Sequence, residues 1–270
     1  MNNLQITDKG IINCDQSKGY DLNKDLSVYE VFRLIQGTAL FLEDHYDRLI
    51  SSVQMSGIRF KMEYPEFELN IKQLSHLNGQ LNGNVKFVLS GDNQSSQWSF
   101  SFIPHAYPSA ADYREGVATG LLYAERENPN AKIVQNTVRD KANQLMADKK
   151  LYEVLLVDKN RLIREGSRSN VFFVKDDCFY TAPTSLVLAG VTRKKVLECI
   201  REMGSMVVEE AVKSTVIASC NAAFISGTSP KVLPVNRIDD HVFHVDNPLV
   251  EQLMIKYDSV IEDYIASKKH

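Results

Sequence analysis

The sequence is poor in cysteine and in long runs of any one kind of residue. Its four cysteines, Cys14, Cys178, Cys199 and Cys220, form no CxxC pair and no cluster with the six histidines among 270 residues. This spacing argues against a zinc site or disulfide framework, so no metal is expected, and the thiols read as core or incidental groups in a reducing compartment. No apolar run approaches the length needed to span a bilayer. The opening Met1–Gly10 is polar and lacks the apolar stretch of a secretory signal. A cytoplasmic location with no membrane partner is the resulting expectation. An excess of one charge is missing too: 31 basic and 34 acidic residues give a net charge of −3, without long runs of one sign. Dedicated nucleic-acid binders usually carry a basic stripe, so no nucleic-acid partner is expected. Internal repeats and low-complexity segments are absent as well. What remains is 44% hydrophobic and 24% charged, enough to bury one large core or two of ordinary size.

The pattern of apolar residues alternates between strand and helix periods. Tyr29 to Ile35 (YEVFRLI) is β-branched and aromatic enough for a strand. Leu42 to Met55 places Leu42, Tyr46, Leu49, Ile50 and Val53 at helical spacing, with Gly57 as its C-cap. Strands follow at Val85–Ser90 and Gln97–Ile103, joined by the turn formers GDNQSS. His105 to Tyr113, with Pro108 and several small residues, reads as the best linker. This gives a smaller N-terminal α/β domain over residues 1–107, a linker at 108–113, and a larger C-terminal domain over 114–270. In that second domain, helices are expected near Asn136–Lys150, from Thr192 to Met203 with a stop at Gly204, and from about Pro248 to Ile265. VLLV and VFFV read as a β-meander, and AAFISG as a further strand. Without strict βαβ alternation, the fold class is α+β.

Three segments carry candidate chemistry. Glu165-Gly-Ser-Arg-Ser-Asn170 sets a carboxylate at a strand edge among small residues, which suits close approach of a ligand to the backbone. Ordinary inter-strand turns share this composition. Leu188-Ala-Gly-Val-Thr-Arg193 offers a glycine, backbone N–H groups and a threonine hydroxyl at a helix start, an arrangement suited to phosphate. Thr192 serving only as an N-cap is the plain alternative. Phe224-Ile-Ser-Gly-Thr-Ser229 ends a strand in small donors.

Taken in order, VYEVFRLIQG, HYDRL, a lysine with Asn four residues later, EGSRSNVFFV, LAGVTR and FISGTSPKVLPV resemble the class IV aminotransferases. That family includes branched-chain aminotransferases, D-amino acid aminotransferases and aminodeoxychorismate lyases. The resemblance runs from about Tyr29 to Asp240. It implies a two-domain fold like that of D-amino acid aminotransferase, a homodimer, and pyridoxal 5'-phosphate as cofactor. Among Lys132, Lys141, Lys149 and Lys150, the family distance back from Tyr152-Glu153 selects Lys132 as the Schiff-base lysine, with Asn136 completing K-x-x-x-N. Lys141 falls inside the expected helix and reads as a solvated side chain.

The resemblance assigns the remaining roles. Glu165 is implied beside the pyridine nitrogen, where a carboxylate keeps the ring protonated, and Asn170 belongs to the same cofactor-binding segment. Arg48 is implied at the phosphate as a charged donor, with Val191, Thr192 and Thr228 completing the cup, and Gly227 is implied as cofactor-binding in a loop, Gly227 to Ser229, near the substrate carboxylate. Tyr29 and Ser229 are implied on the substrate side, in a reaction between a small or branched amino acid and a 2-keto acid. Two alternatives share these residues: an aminodeoxychorismate lyase releasing 4-aminobenzoate and pyruvate, and a protein that binds cofactor without turnover. The sequence departs from the family at one place. Where an arginine-glycine pair often helps hold a carboxylate, this chain reads Val-Leu-Ser-Gly-Asp-Asn, with Lys86 nearby. Backbone N–H groups of the Gly227 loop are one substitute.

Overall fold

A computed structural model describes residues 4–13, 27–125, 130, 132 and 136–269. The described residues form two compact units. The first holds those up to Ala106, Lys132, and those from Ile261 on; the second holds the described residues from Tyr107 to Asn130 and from Asn136 to Val260. Within residues 108–113, expected as a linker, a short helix begins at Ala110 and runs to Glu115. Ser109 caps it: its hydroxyl accepts the Asp112 N–H while the Asp112 side chain accepts the Ser109 N–H, a local box that needs only these two residues.

The first unit is built on a six-stranded sheet. Its strands are β1 (Leu4–Thr7), β2 (Gly10–Asn13), β3 (Ser27–Ile35), β4 (Thr38–Ala39), β5 (Gly83–Gly91) and β6 (Ser96–Ile103). They lie in the order β2-β1-β6-β5-β3-β4. Along β3, Val28, Glu30, Phe32 and Leu34 are buried while Tyr29, Val31, Arg33 and Ile35 are half-buried, the two-residue period of a strand with distinct faces. Helix α1 (Leu42–Ser56) ends as its sequence suggests: Gly57 takes a left-handed φ of 71° and its N–H donates to the Val53 carbonyl. Helix α2 (Tyr64–Asn78) is an addition to the sequence expectation. Pro65 opens it, Gly79 closes it, and Phe67, Ile71 and Leu74 form its buried stripe. The core joins Phe67, Phe87 and Phe100, with ring centroids 4.7 to 5.1 Å apart, within the range of favourable aromatic packing.

The second unit opens with helix α3 (Ala110–Glu115) and carries a nine-stranded sheet. Its strands are β7 (Val117–Tyr123), β8 (Glu153–Val157), β9 (Ile163–Gly166), β10 (Asn170–Lys175), β11 (Cys178–Tyr180), β12 (Met206–Val208), β13 (Ala222–Gly227), β14 (Lys231–Ile238) and β15 (His241–Val242). The order is β12-β11-β10-β13-β14-β7-β8-β9, with β15 on β14. VLLV in β8 pairs with β7 and β9, and VFFV in β10 pairs with β11 and β13, so the expected direct meander of the two is replaced by non-local pairing. Helices α4 (Asn136–Lys149), α5 (Val191–Glu202) and α6 (Pro248–Ser267) complete the described elements; the part of α6 from Ile261 is counted with the first unit. Gly190 caps α5, so Thr192 lies inside the helix and is not its N-cap. Cys178, Cys199 and Cys220 are buried thiols; Cys14 lies outside the described residues. Among the described residues, no helix is long and apolar enough to cross a membrane.

Candidate active site

In the first unit the strand period sends neighbouring residues of β3 to opposite faces. Glu30 points into the core and is fully buried. There it accepts two hydrogen bonds from Arg48, Nε at 2.8 Å and Nη2 at 2.6 Å, and one from His45 Nδ1 at 2.9 Å. Helical spacing makes this possible, because His45, Arg48 and Ser52 share one buried face of α1. Burial would raise the Glu30 pKa, but the Arg48 charge and the hydrogen bonds from Arg48 and His45 outweigh it and hold the group at about 2. Burial lowers the His45 pKa despite the neighbouring carboxylate, and the charges of Arg48 and Lys132 act in the same direction. The cluster is therefore a charged Glu30–Arg48 pair with a neutral His45 donating to it.

Lys132 enters this cluster from far along the chain. Its carbonyl accepts the Tyr29 N–H at 3.0 Å, and its own N–H donates to Ser52 Oγ at 3.3 Å. Its peptide is thus fixed to β3 on one side and to α1 on the other. The Lys132 ammonium stands 4.9 Å from the centroid of the Tyr29 ring, and that of Lys86 stands 5.6 Å from the same centroid. Lys141 is exposed on α4. The side chain of Asn136 lies outside the described residues. Where the family often has its arginine, Ser90 is buried and its hydroxyl meets that of Ser27 at 2.6 Å.

The second unit gathers the other candidates. Glu165, near the end of β9, is buried and its Oε2 accepts the Leu188 N–H at 3.1 Å. Asn170 opens β10 and donates from Nδ2 to the Leu188 carbonyl at 3.2 Å. These two bonds tie the LAG segment to the EGSRSN segment. Gly190 packs closely at this junction, and a Cβ there would force the Asn170 side chain to move. Directly after it, Val191 and Thr192 form the buried first residues of α5, where helix N–H groups lack intrahelical acceptors and favour an anion. Gly227 ends β13 and pairs with Lys231 across a short hairpin, with Thr228 and Ser229 half-buried at its tip. Ser226, opposite Asn170 in the ladder, is fully buried and its Oγ has no hydrogen-bond partner among the described residues.

Two supporting carboxylates were not singled out from the sequence. Glu30 is one. Glu153, at the start of β8, is the other: it is buried and accepts hydrogen bonds from Ser167 Oγ at 2.7 Å, Ser169 Oγ at 2.9 Å and the Arg168 N–H at 3.1 Å. The EGSRSN loop is wrapped around it. The only local signal is an acid beginning an otherwise apolar strand, EVLLV. Buried acids of this kind need several donors to be tolerated, and the hydroxyls of the loop provide them.

The first unit thus holds Tyr29, Arg48 and Lys132, with Tyr29 and Lys132 in contact, and the second holds Glu165, Asn170, Val191, Thr192, Gly227, Thr228 and Ser229, of which Glu165 and Asn170 share bonds to Leu188. Residues 27–238 match the family model for amino-transferase class IV; the chain belongs to that family and is an enzyme of the aminotransferase class. It is 27% identical over 239 residues to the D-alanine aminotransferase of Bacillus licheniformis, covering 83% of this chain and 82% of the relative. Solved structures share its fold. A T.th. branched-chain amino acid aminotransferase, solved with pyridoxamine 5'-phosphate, superposes with a TM-score of 0.84 at 19% identity, covering 98% of this chain and 97% of that one. A putative 4-amino-4-deoxychorismate lyase from Legionella pneumophila superposes with a TM-score of 0.80 at 19% identity, covering 86% and 90%.

Proposed function

We propose that the chain binds pyridoxal 5'-phosphate through Lys132 and transfers an amino group between a small or branched amino acid and a 2-keto acid. The observation that carries this reading is the double anchoring of the Lys132 peptide, to Tyr29 and to Ser52, which leaves a lysine amine beside an aromatic ring at a fixed place. The residue set also suits the cofactor. It combines a buried carboxylate, a helix start with a closely packed glycine, a buried Ser226 hydroxyl without a partner among the described residues, and a buried arginine. When bound, the cofactor supplies an aldehyde carbon for an amine and a ring that accepts the electron pair released at the substrate carbon.

The chain's own residues do the rest. In this reading Lys132 Nζ removes a proton from the substrate carbon and returns it. Glu165, steadied by the Leu188 N–H, holds a proton on the ring nitrogen. Arg48 binds the phosphate with its guanidinium plane fixed by Glu30, assisted by Val191, Thr192 and Thr228 at backbone and hydroxyl donors. Asn170 and Gly227 shape that cradle, and Tyr29 and Ser229 line the substrate side. A two-domain organisation with a division near residues 107–114, a homodimer and a cytoplasmic location belong to the same reading.

Two assays run side by side on the purified protein test it. Keto-acid-dependent amino transfer is the expected activity. Release of pyruvate and 4-aminobenzoate from aminodeoxychorismate without amino transfer would replace this reading with the lyase. A yellow cofactor band that responds to no amine would leave a cofactor-binding protein without turnover.

A further inference from the structure

We infer that Tyr264, near the end of α6, is a positioning residue for the candidate site: its hydroxyl caps the start of α1, the helix that carries Arg48. The inference deepens the proposed function, since it rests on Arg48 as a holder of the cofactor phosphate. The first N–H groups of a helix have no partner within it, and a side-chain oxygen at the preceding residue often supplies one. At α1 that residue is Phe41, whose side chain makes no such bond and whose φ is a left-handed 50°, a strained conformation for an aromatic residue. Tyr264 supplies what Phe41 does not, from 222 positions beyond Leu42. Its hydroxyl accepts the Leu42 N–H at 3.2 Å. Its ring packs on that of Phe41 with centroids 4.9 Å apart, and Phe41 is buried, so packing holds the strained residue in place.

The Tyr264 hydroxyl has one proton and gives it to Glu43 Oε2 at 2.6 Å, so towards Leu42 it can only accept. Burial would raise the Glu43 pKa, but hydrogen bonds from Lys268 and Tyr264 hold it at about 2, so this acceptor is charged at neutral pH. A negative charge in the first turn also suits the positive end of the helix dipole. Ile261, Tyr264, Ile265 and Lys268 recur at helical spacing on α6, and both isoleucines are buried, which fixes the face that turns the hydroxyl to α1. The cap reaches the site in three short steps. The Phe41 carbonyl accepts the His45 N–H at 3.2 Å. His45 Nδ1 then donates to Glu30, and Glu30 holds the guanidinium of Arg48 at Nε and Nη2. Fraying of the first turn would loosen His45 first and the Arg48 fork after it.

The test compares two ligands of the full chain freed of cofactor: pyridoxal 5'-phosphate, and pyridoxal, which lacks the phosphate. Equilibrium dialysis measures both. Tyr264→Phe keeps the ring and removes only the hydroxyl. Its affinity for pyridoxal 5'-phosphate should fall about fivefold, the effect of one helix cap, while its affinity for pyridoxal stays unchanged. A merely structural role would weaken both ligands alike. An unchanged affinity for pyridoxal 5'-phosphate in Tyr264→Phe overturns the inference, as does an equal fall for pyridoxal. Arg48→Lys, which keeps the charge but not the planar fork, separates the two levels. If Arg48→Lys loses the preference for the phosphate-bearing ligand and Tyr264→Phe does not, the role of Tyr264 alone is defeated. If Arg48→Lys retains that preference, the parent reading of Arg48 fails.

Discussion

At the scale of single residues, the strongest interaction near the candidate site is the fork between Arg48 and Glu30. Removing one partner of a buried ion pair leaves the other charge without compensation, which costs about 3–5 kcal/mol. Glu30→Gln should therefore lower the stability measured by urea denaturation at pH 7 by about that much. The pH dependence has a definite sign. The folded-state pKa of Glu30 is depressed from 4.5 to about 2, so its contribution is complete above the unfolded value and is lost as pH falls from about 4.5 towards 2. That contribution is roughly 3 kcal/mol. Denaturation curves of wild type and Glu30→Gln, taken at pH 6 and pH 3, should lie closer together at the lower pH; a gap that stays constant would contradict the assignment. Arg48 was legible in the sequence from HYDRL, but its partner was not. Glu30 sits inside an apolar strand, and only the opposition of β3 and α1 shows that it faces the arginine.

At the scale of elements, legibility followed the range of the interactions. Helix α1 and its cap at Gly57 are decided by neighbours a few residues away, and both were readable. At Gly57, φ is 71° and no atom would meet an added Cβ, so Gly57→Ala is a purely conformational test. It should cost roughly 1–2 kcal/mol, read as a lower Tm. The pairing of β10 with β13 joins residues on either side of α5 in the sequence, and no local pattern announces it. The same holds for the seam between β9, β10 and the start of α5, which is held by the Glu165 and Asn170 bonds to Leu188. Gly190→Ala forces a methyl group against Asn170 Oδ1. Overpacking of this kind costs typically about 1–3 kcal/mol, and the affinity for pyridoxal 5'-phosphate, measured by equilibrium dialysis, should fall with it. Unchanged affinity would separate this seam from the cofactor.

At the scale of the whole molecule, the order of short motifs carried the family assignment, because each motif is a short contiguous stretch that is readable by itself, whether it lies in strand β3, in helix α1 or at the start of α5. The position of Lys132 needed more. In the sequence only the resemblance, through its distance to Tyr152-Glu153 and through Asn136, distinguishes it from Lys141; in the structure its peptide bonds to residues some eighty and a hundred positions earlier, Ser52 and Tyr29. Lys141, by contrast, is exposed on α4. The central claim is thus a choice between two lysines, and the visible absorbance of purified variants decides it. Lys132→Ala should abolish the yellow cofactor band while Lys141→Ala retains it; a band that survives in Lys132→Ala, or disappears in Lys141→Ala, would contradict the account.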